Sequence, residues 1–207
     1  PQLNLWAYAR IDTVRDEEML ALMRAAGFRW LGLGIESGSQ HVRDGVEKGR
    51  FTEDDIHAAV GRVRTADICV GANYIFGLPD DTIESMQRTF LLACELNTEW
   101  ANFYCAMAYP GSALHAQVTR EHPEWLPENN SCGWLGYAQH ARETLPLPTA
   151  TLTAAEVLAF RDNAFMGYFS HPAYREMLAA RLGDEPVRQV KRMLAVGKPK
   201  RNLFDIK

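Results

Sequence analysis

Four apolar runs of strand length recur along the chain at a nearly constant interval. They are LNLWAYAR (residues 3–10), RWLGLGIE (29–36), ICVGANYIFG (68–77) and WANFYCAMA (100–108). Their starts lie 26, 39 and 32 residues apart, around the roughly 31 residues that a (β/α) barrel spends per unit. Helical periodicity fills the intervals. In DEEMLALMRAAG, Met19, Leu20, Met23 and Ala26 share one face, and Gly27 is placed to end the helix. TEDDIHAAVGRVRTA has Thr52 and Asp55 at capping-box spacing, then Ile56, Ala59, Val60 and Val63 on one side. DDTIESMQRTFLLACEL repeats the plan, with Asp81 and Glu84 as caps and Phe90, Leu91 and Cys94 turned inward. The predicted order β-α-β-α-α-β-α-β-α is that of a parallel sheet with right-handed crossovers. Four strands are too few to close a barrel. Either the sheet is open or further strands precede Pro1.

Beyond the fourth run the texture changes. Residues 120–150 are rich in Pro, Asn, Gly and Trp and read as an ordered linker. Three helical patterns come next, the first with a capping box from Thr153 to Glu156. The expected division is a β/α unit over 1–119, a linker over 120–150 and a helical extension over 151–207. Residues Pro1 and Leu3 suggest a piece of a longer protein: there is no initial Met, and a strand is already under way at Leu3.

Bulk properties exclude several classes. Net charge is −4 and the Lys and Arg residues are scattered except for the terminal KPKR, so no nucleic-acid partner is expected. No run is long and apolar enough to span a membrane. Cys69, Cys94, Cys105 and Cys132 match no zinc or iron–sulfur spacing and read as free thiols, the first three buried, in a cytoplasmic protein. The histidines His41, His57, His115, His122, His140 and His171 lack ligand spacing, and no metal site is expected among these residues.

Alternation sorts strand side chains onto two faces. Gly32, Gly34 and Glu36 oppose Leu31, Leu33 and Ile35. Gly71 and Asn73 oppose Val70, Ala72 and Tyr74. Asn102, Tyr104 and Ala106 oppose Phe103, Cys105 and Met107. The bulky face suits helices, and the small or polar face suits a hollow. Parallel α/β sheets bind ligands at the strands' C-terminal ends, where Arg10, Glu36, Asn73 and Tyr104 fall. Each has a plainer reading. Glu36 could cap the helix beginning near Ser39. Arg10 could pair with Asp12 or Glu36. Asn73 and Tyr104 could be satisfied core polars, and the glycines could serve close packing.

GIESGS (34–39) and FGLPDDT (76–82) resemble the paired strand-end motifs of radical S-adenosylmethionine enzymes, in the group that includes cobalamin-binding members. That group's patterns read roughly G-I-E-S-G-S and F-x-x-G-L-P-G-x-T. Asp80 stands where the second has Gly. EKG (47–49), YPGSALH (109–115) and the tail from RDNAFMGYFSHPAY onward are similar as well, so the likeness covers most of the chain. The resemblance implies a partial (β/α)₆ barrel of which these are the third to sixth strands, followed by a small helical tail. It implies S-adenosylmethionine held by Glu36 at the ribose hydroxyls and by Arg10 near the methionyl carboxylate. Backbone of Phe76, Gly77 and Leu78 would lie against the adenine, with Ser37 in the same motif. Asn73, Asn102 and Tyr104 become substrate-side candidates, and catalytic residues are not assigned. The family's C-x₃-C-x₂-C loop, which holds a [4Fe–4S] cluster, does not occur in this sequence. The implied activity is reductive cleavage of S-adenosylmethionine to start radical chemistry on a small organic substrate. A reductant protein would supply electrons, and cobalamin-dependent methyl transfer or rearrangement is one form of that chemistry. The fragment by itself would be inactive, with an exposed edge on its first strand.

Two other readings stand beside this one. An acid–base α/β enzyme would use Glu36 as base and Arg10 as anion clamp. A non-enzymatic module would present the aromatic cluster Phe160, Phe165, Tyr168, Phe169 and Tyr174 as its surface, unless that cluster packs the tail onto the sheet.

Overall fold

A computed structural model describes residues 3–45 and 51–205. The EKG segment at 47–49 lies outside the described residues. Four parallel strands, β1 (Leu5–Arg10), β2 (Phe28–Glu36), β3 (Cys69–Phe76) and β4 (Trp100–Cys105), form one sheet in chain order. Helices α1 (Glu17–Ala26), α2 (Gln40–Gly45), α3 (Glu53–Thr65) and α4 (Ile83–Leu96) carry the crossovers. After β4 come α5 (Ala113–Glu121), three 3₁₀ turns between Pro123 and Tyr137, and the tail helices α6 (Ala154–Ser170), α7 (Pro172–Leu182), α8 (Asp184–Ala195) and α9 (Asn202–Asp205). The α/β class and the strand order are as the sequence predicts.

The bulky strand face is the core. Leu31, Leu33, Ile35, Val70, Ala72 and Tyr74 are fully buried there, and Ile56, Ala59, Val60 and Val63 of α3 meet them. Gly27 ends α1 at φ 107°, and Thr52 with Asp55 forms the expected capping box. Three local expectations are corrected. On α1 only Leu20 is buried; Met19 and Ala26 are exposed. On α4 the box is made by Thr82 and Ser85, because the Asp81 carboxylate turns back to the preceding turn. Its inner face is Met86, Leu92, Ala93 and Leu96, while Leu91 is 56% exposed. A helix turns about 100° per residue, so one misplaced cap residue shifts the whole assignment of faces. The thiols also differ: Cys105 is buried, but Cys69 and Cys94 are only half-buried.

The tail is not a separate surface. Phe103 on β4 meets Tyr168 edge-on at 5.6 Å, Trp100 meets Phe169 at 4.8 Å, and Phe76 meets Phe160 at 5.0 Å. Tyr168, Phe169 and Tyr174 are buried, and Tyr168 Oη donates to Thr98 O at 2.7 Å. This burial overturns the reading of the aromatic cluster as an interaction surface, since its rings are already spent on the sheet. Phe169→Ala should therefore cost about 3–5 kcal/mol in urea unfolding, against under about 0.5 kcal/mol for Leu91→Ala. Tyr74 Oη, fully buried, finds no hydrogen-bond partner among the described residues. Tyr74→Phe should raise stability by about 1–3 kcal/mol in the same assay.

Candidate functional site

The small-residue face of the sheet opens into a hollow of about 1030 Å³ at the strands' C-terminal ends, lined among others by Arg10, Glu36, Asn73 and Tyr104. The four residues expected to converge do so.

Glu36 is the most unusual of them. Its φ is 67°, a left-handed value that costs a non-glycine residue about 1–3 kcal/mol. The β2–β3 register slips at this point: Gly34 faces Asn73, and Glu36, not Ile35, faces Tyr74. Bulges of this kind re-aim side chains beside functional sites. A Cβ on Gly34 would stand 2.9 Å from Glu36 Oε1, so the carboxylate folds back over the glycine and into the hollow. The next residues have a structural part. Ser37 is buried, with its hydroxyl 3.1 Å from Thr89 Oγ1; Gly38 N donates to the same oxygen at 2.8 Å. A Cβ on Gly38 would meet Arg88 O at 2.7 Å, so only glycine lets this loop lie on α4.

Arg10 donates from Nε and Nη2 to both oxygens of Asp12 at 2.9 Å, which holds the Asp12 carboxyl below its usual range. The ion-pair reading of Arg10 is thus realised, at the rim of the hollow. Asn73 Nδ2 donates to Leu33 O at 3.2 Å, and its Oδ1 accepts from Asn102 Nδ2 at 2.9 Å. Asn102 Oδ1 accepts from Trp100 Nε1 at 2.8 Å. This chain of bonds runs across the floor; Asn73 and Tyr104 line the hollow, and Asn102 supports Asn73 from beside it.

The turn after β3 is held by Asp81, which the sequence pattern had placed as a helix cap. Its Oδ2 accepts from Gly77 N and Leu78 N, both at 3.0 Å, and its Oδ1 from Ser85 Oγ. Burial pushes this carboxyl above its usual range, against the pull of those bonds. Gly77 sits at φ 79°, and a Cβ there would meet Val157 Cγ1 at 2.5 Å. Of the three residues in the turn, Leu78 lines the hollow. Phe76 points into the core, stacked on Phe103 at 5.7 Å, with its carbonyl accepting from Ala106 N at 2.8 Å.

The far wall was not legible in the sequence. Gln139 pairs with the free edge of β4 as a neighbouring strand would, accepting from Cys105 N and donating to Cys105 O, each at 2.9 Å. Its carbonyl accepts from buried Arg161, whose neighbour Asp162 is gripped by Arg201 through two bonds of 2.9 and 2.8 Å. The basic KPKR segment is in part a buried anchor: Arg201 is 2% exposed. Burial pushes the Cys105 thiol up to about 11, so it stays protonated at neutral pH. Arg201→Ala leaves Asp162 with a buried charge and should cost about 3–5 kcal/mol by chemical denaturation. The double variant with Asp162→Ala should cost less than the sum of the single losses.

Among the described residues, one group could gather ligand atoms for a metal: Glu53, His57 and Glu95, within 4.8 Å of one another on the outer surface of α3 and α4. Glu53 and His57 stand at i, i+4, a pairing visible in the sequence once acidic partners of the histidines are considered. No trio of cysteines is brought together among those residues.

No family model matches the chain. Curated relatives do. An anaerobic magnesium-protoporphyrin IX monomethyl ester cyclase of Rubrivivax gelatinosus is 31% identical over 52% of this chain and 19% of its own length. An uncharacterized methyltransferase of Pyrococcus horikoshii is 30% identical over 80% of this chain and 34% of its own. The chain thus spans a fifth to a third of these curated relatives. Among solved structures, the radical S-adenosylmethionine methyltransferase TsrM of Kitasatospora setae superposes with a TM-score of 0.51 at 22% identity, over 57% of this chain and 23% of its own. Methanocaldococcus infernus Elp3 gives 0.51 at 15% identity, over 79% and 41%. Over the part it covers, the chain shares the fold of TsrM and of Elp3. No helix among the described residues is long and apolar enough to cross a membrane.

Proposed function

We propose that this chain is the C-terminal part of a radical S-adenosylmethionine enzyme and holds one side of the S-adenosylmethionine pocket. The observation that carries the reading is Glu36: a carboxylate kept at positive φ by a bulge and folded over a glycine into the hollow. Two acceptor oxygens so placed suit a pair of vicinal ribose hydroxyls. Arg10, already oriented by Asp12, would turn its remaining donors to the methionyl carboxylate. The turn of Phe76, Gly77 and Leu78, stiffened by Asp81, would lie along the adenine. Ser37 supports Glu36 from behind through Thr89.

The residues present fit S-adenosylmethionine but not the cluster, because none of the described cysteines lies near another two. In this reading the thiolate ligands belong to a part of the protein outside the described residues. When bound, the cluster supplies the electron that cleaves S-adenosylmethionine. The residues here would orient the nucleoside and shield it from water. A reductant protein would deliver the electron, and the substrate would be a small molecule in a cytoplasmic setting. TsrM, whose structure holds cobalamin and a [4Fe–4S] cluster, makes cobalamin-dependent methyl transfer one candidate reaction, with rearrangement another.

Gly34→Ala tests the reading. The new Cβ displaces only the flexible Glu36 carboxylate, so stability should change by under about 0.5 kcal/mol. Affinity for S-adenosylhomocysteine, measured by calorimetry on this chain, should fall about tenfold. Equal affinities for the two proteins, or no binding by either, would sink the assignment of Glu36.

A further inference from the structure

The hollow is electrically lopsided. Its charged side chains, Arg10 and Glu36, both stand at the ends of β1 and β2, and Asp12 already balances Arg10. The opposite half, from β4 through the start of α5, is built from Tyr104, Met107, Tyr109 and Leu114, with Tyr8 facing them from β1. Tyr8 lies over Gly32, where a Cβ would stand 2.7 Å from its ring, and meets Trp6 edge-on at 4.3 Å. Both rings stay exposed, Trp6 at 52% and Tyr8 at 66%, so they form an apolar surface on the lumen side of the sheet. Polar groups in this half are held by one another. Tyr109 Oη donates to Tyr137 O at 3.3 Å and accepts from Gln139 Nε2 at 3.2 Å. Arg10, the one cation among the described residues lining the hollow, stands at the end of β1 and is paired with Asp12, so a charged group entering the β4 half would lose water without a counter-ion from that half. A neutral ring would stack on the tyrosines and pack on Met107 and Leu114.

We infer that the β4 half of the hollow is a subsite for an uncharged, aromatic or otherwise flat apolar part of the substrate, walled by Tyr8, Tyr104, Tyr109, Met107 and Leu114. The inference rests on the reading of the Glu36 half as the nucleoside side and names what stands beside it. Specificity comes from the lack of a cation among the described residues of this half: a phosphate or polycarboxylate substrate would be rejected by desolvation, not by shape.

The test uses this chain with its methionine methyls labelled for NMR. Met107 reports on the subsite and Met193 on a second hollow, of about 370 Å³, between β4 and the tail helices. The probes are 2-naphthol and 2-naphthyl phosphate, the same ring without and with charge. Naphthol should shift the Met107 methyl, and the phosphate should bind there at least about tenfold more weakly. Tyr104→Ala should weaken naphthol by about three- to tenfold. Leu114→Asp, on a half-buried position of α5, should do the same through charge without removing a ring. Equal or tighter binding of the phosphate would overturn the inference, as would shifts at Met193 alone or no shift at Met107. S-adenosylhomocysteine titrated in parallel separates the two readings. If it binds and naphthol does not, only the subsite fails; if naphthol binds and it does not, only the nucleoside assignment fails.

Discussion

Burial of one face of a four-stranded parallel sheet is the constraint on which the rest of this structure depends. Leu31, Leu33, Ile35, Val70, Ala72, Tyr74 and Phe103 all point to the helices and are shut away from water. Strand geometry then leaves Gly32, Gly34, Gly71, Asn73 and Tyr104 on the other side, without any separate instruction. A slip of one residue in any strand would exchange the two sets. Core and hollow are therefore one decision, and the site is as robust as the hydrophobic packing behind it.

The ladder slips at two places among the described strands, between Leu5 and Trp6 and at the end of β2, and the second is the place where chemistry is expected. At Glu36 the ladder skips a residue, the backbone turns left-handed, and a carboxylate that would otherwise stand upright folds over Gly34. The loop after β2 holds the distortion. Ser37 and Gly38 dock on Thr89 and the α4 backbone, and Arg43 donates to Ser37 O at 2.6 Å from a buried position over Phe51. Strain of this kind persists only where its surroundings over-determine it. A parallel device shapes the neighbouring strand end, where Asp81 gathers two backbone N–H groups and makes a stiff turn of Gly77 and Leu78.

The C-terminal third completes the hollow as much as it extends the fold. Tyr168, Phe169 and Tyr174 seal the back of β4, while Gln139 occupies the open edge of the same strand with paired hydrogen bonds. The ladder Arg201–Asp162–Arg161–Gln139 joins a residue near the chain's end to the wall of the site. Buried ion pairs contribute little net stability, but they punish any arrangement that separates them. Here they fix where the wall stands.

Much of this was legible from residue order, because it rests on local periodicity. The four strands, the capping boxes at Thr52 and Thr153, the end of α1 at Gly27 and the convergence of Arg10, Glu36, Asn73 and Tyr104 all come from spacings of about two and about 3.6 residues. The motifs GIESGS and FGLPDDT resemble those of radical S-adenosylmethionine enzymes for the same reason: each is a short contiguous solution to a local turn. What only the tertiary structure decided involves partners far apart in the chain. Gln139 on Cys105, Arg201 on Asp162, Thr89 under Ser37 and the phase of α4 depend on which surfaces meet. No spacing encodes those meetings, since they are set by how the helices settle on the sheet once its apolar face is covered.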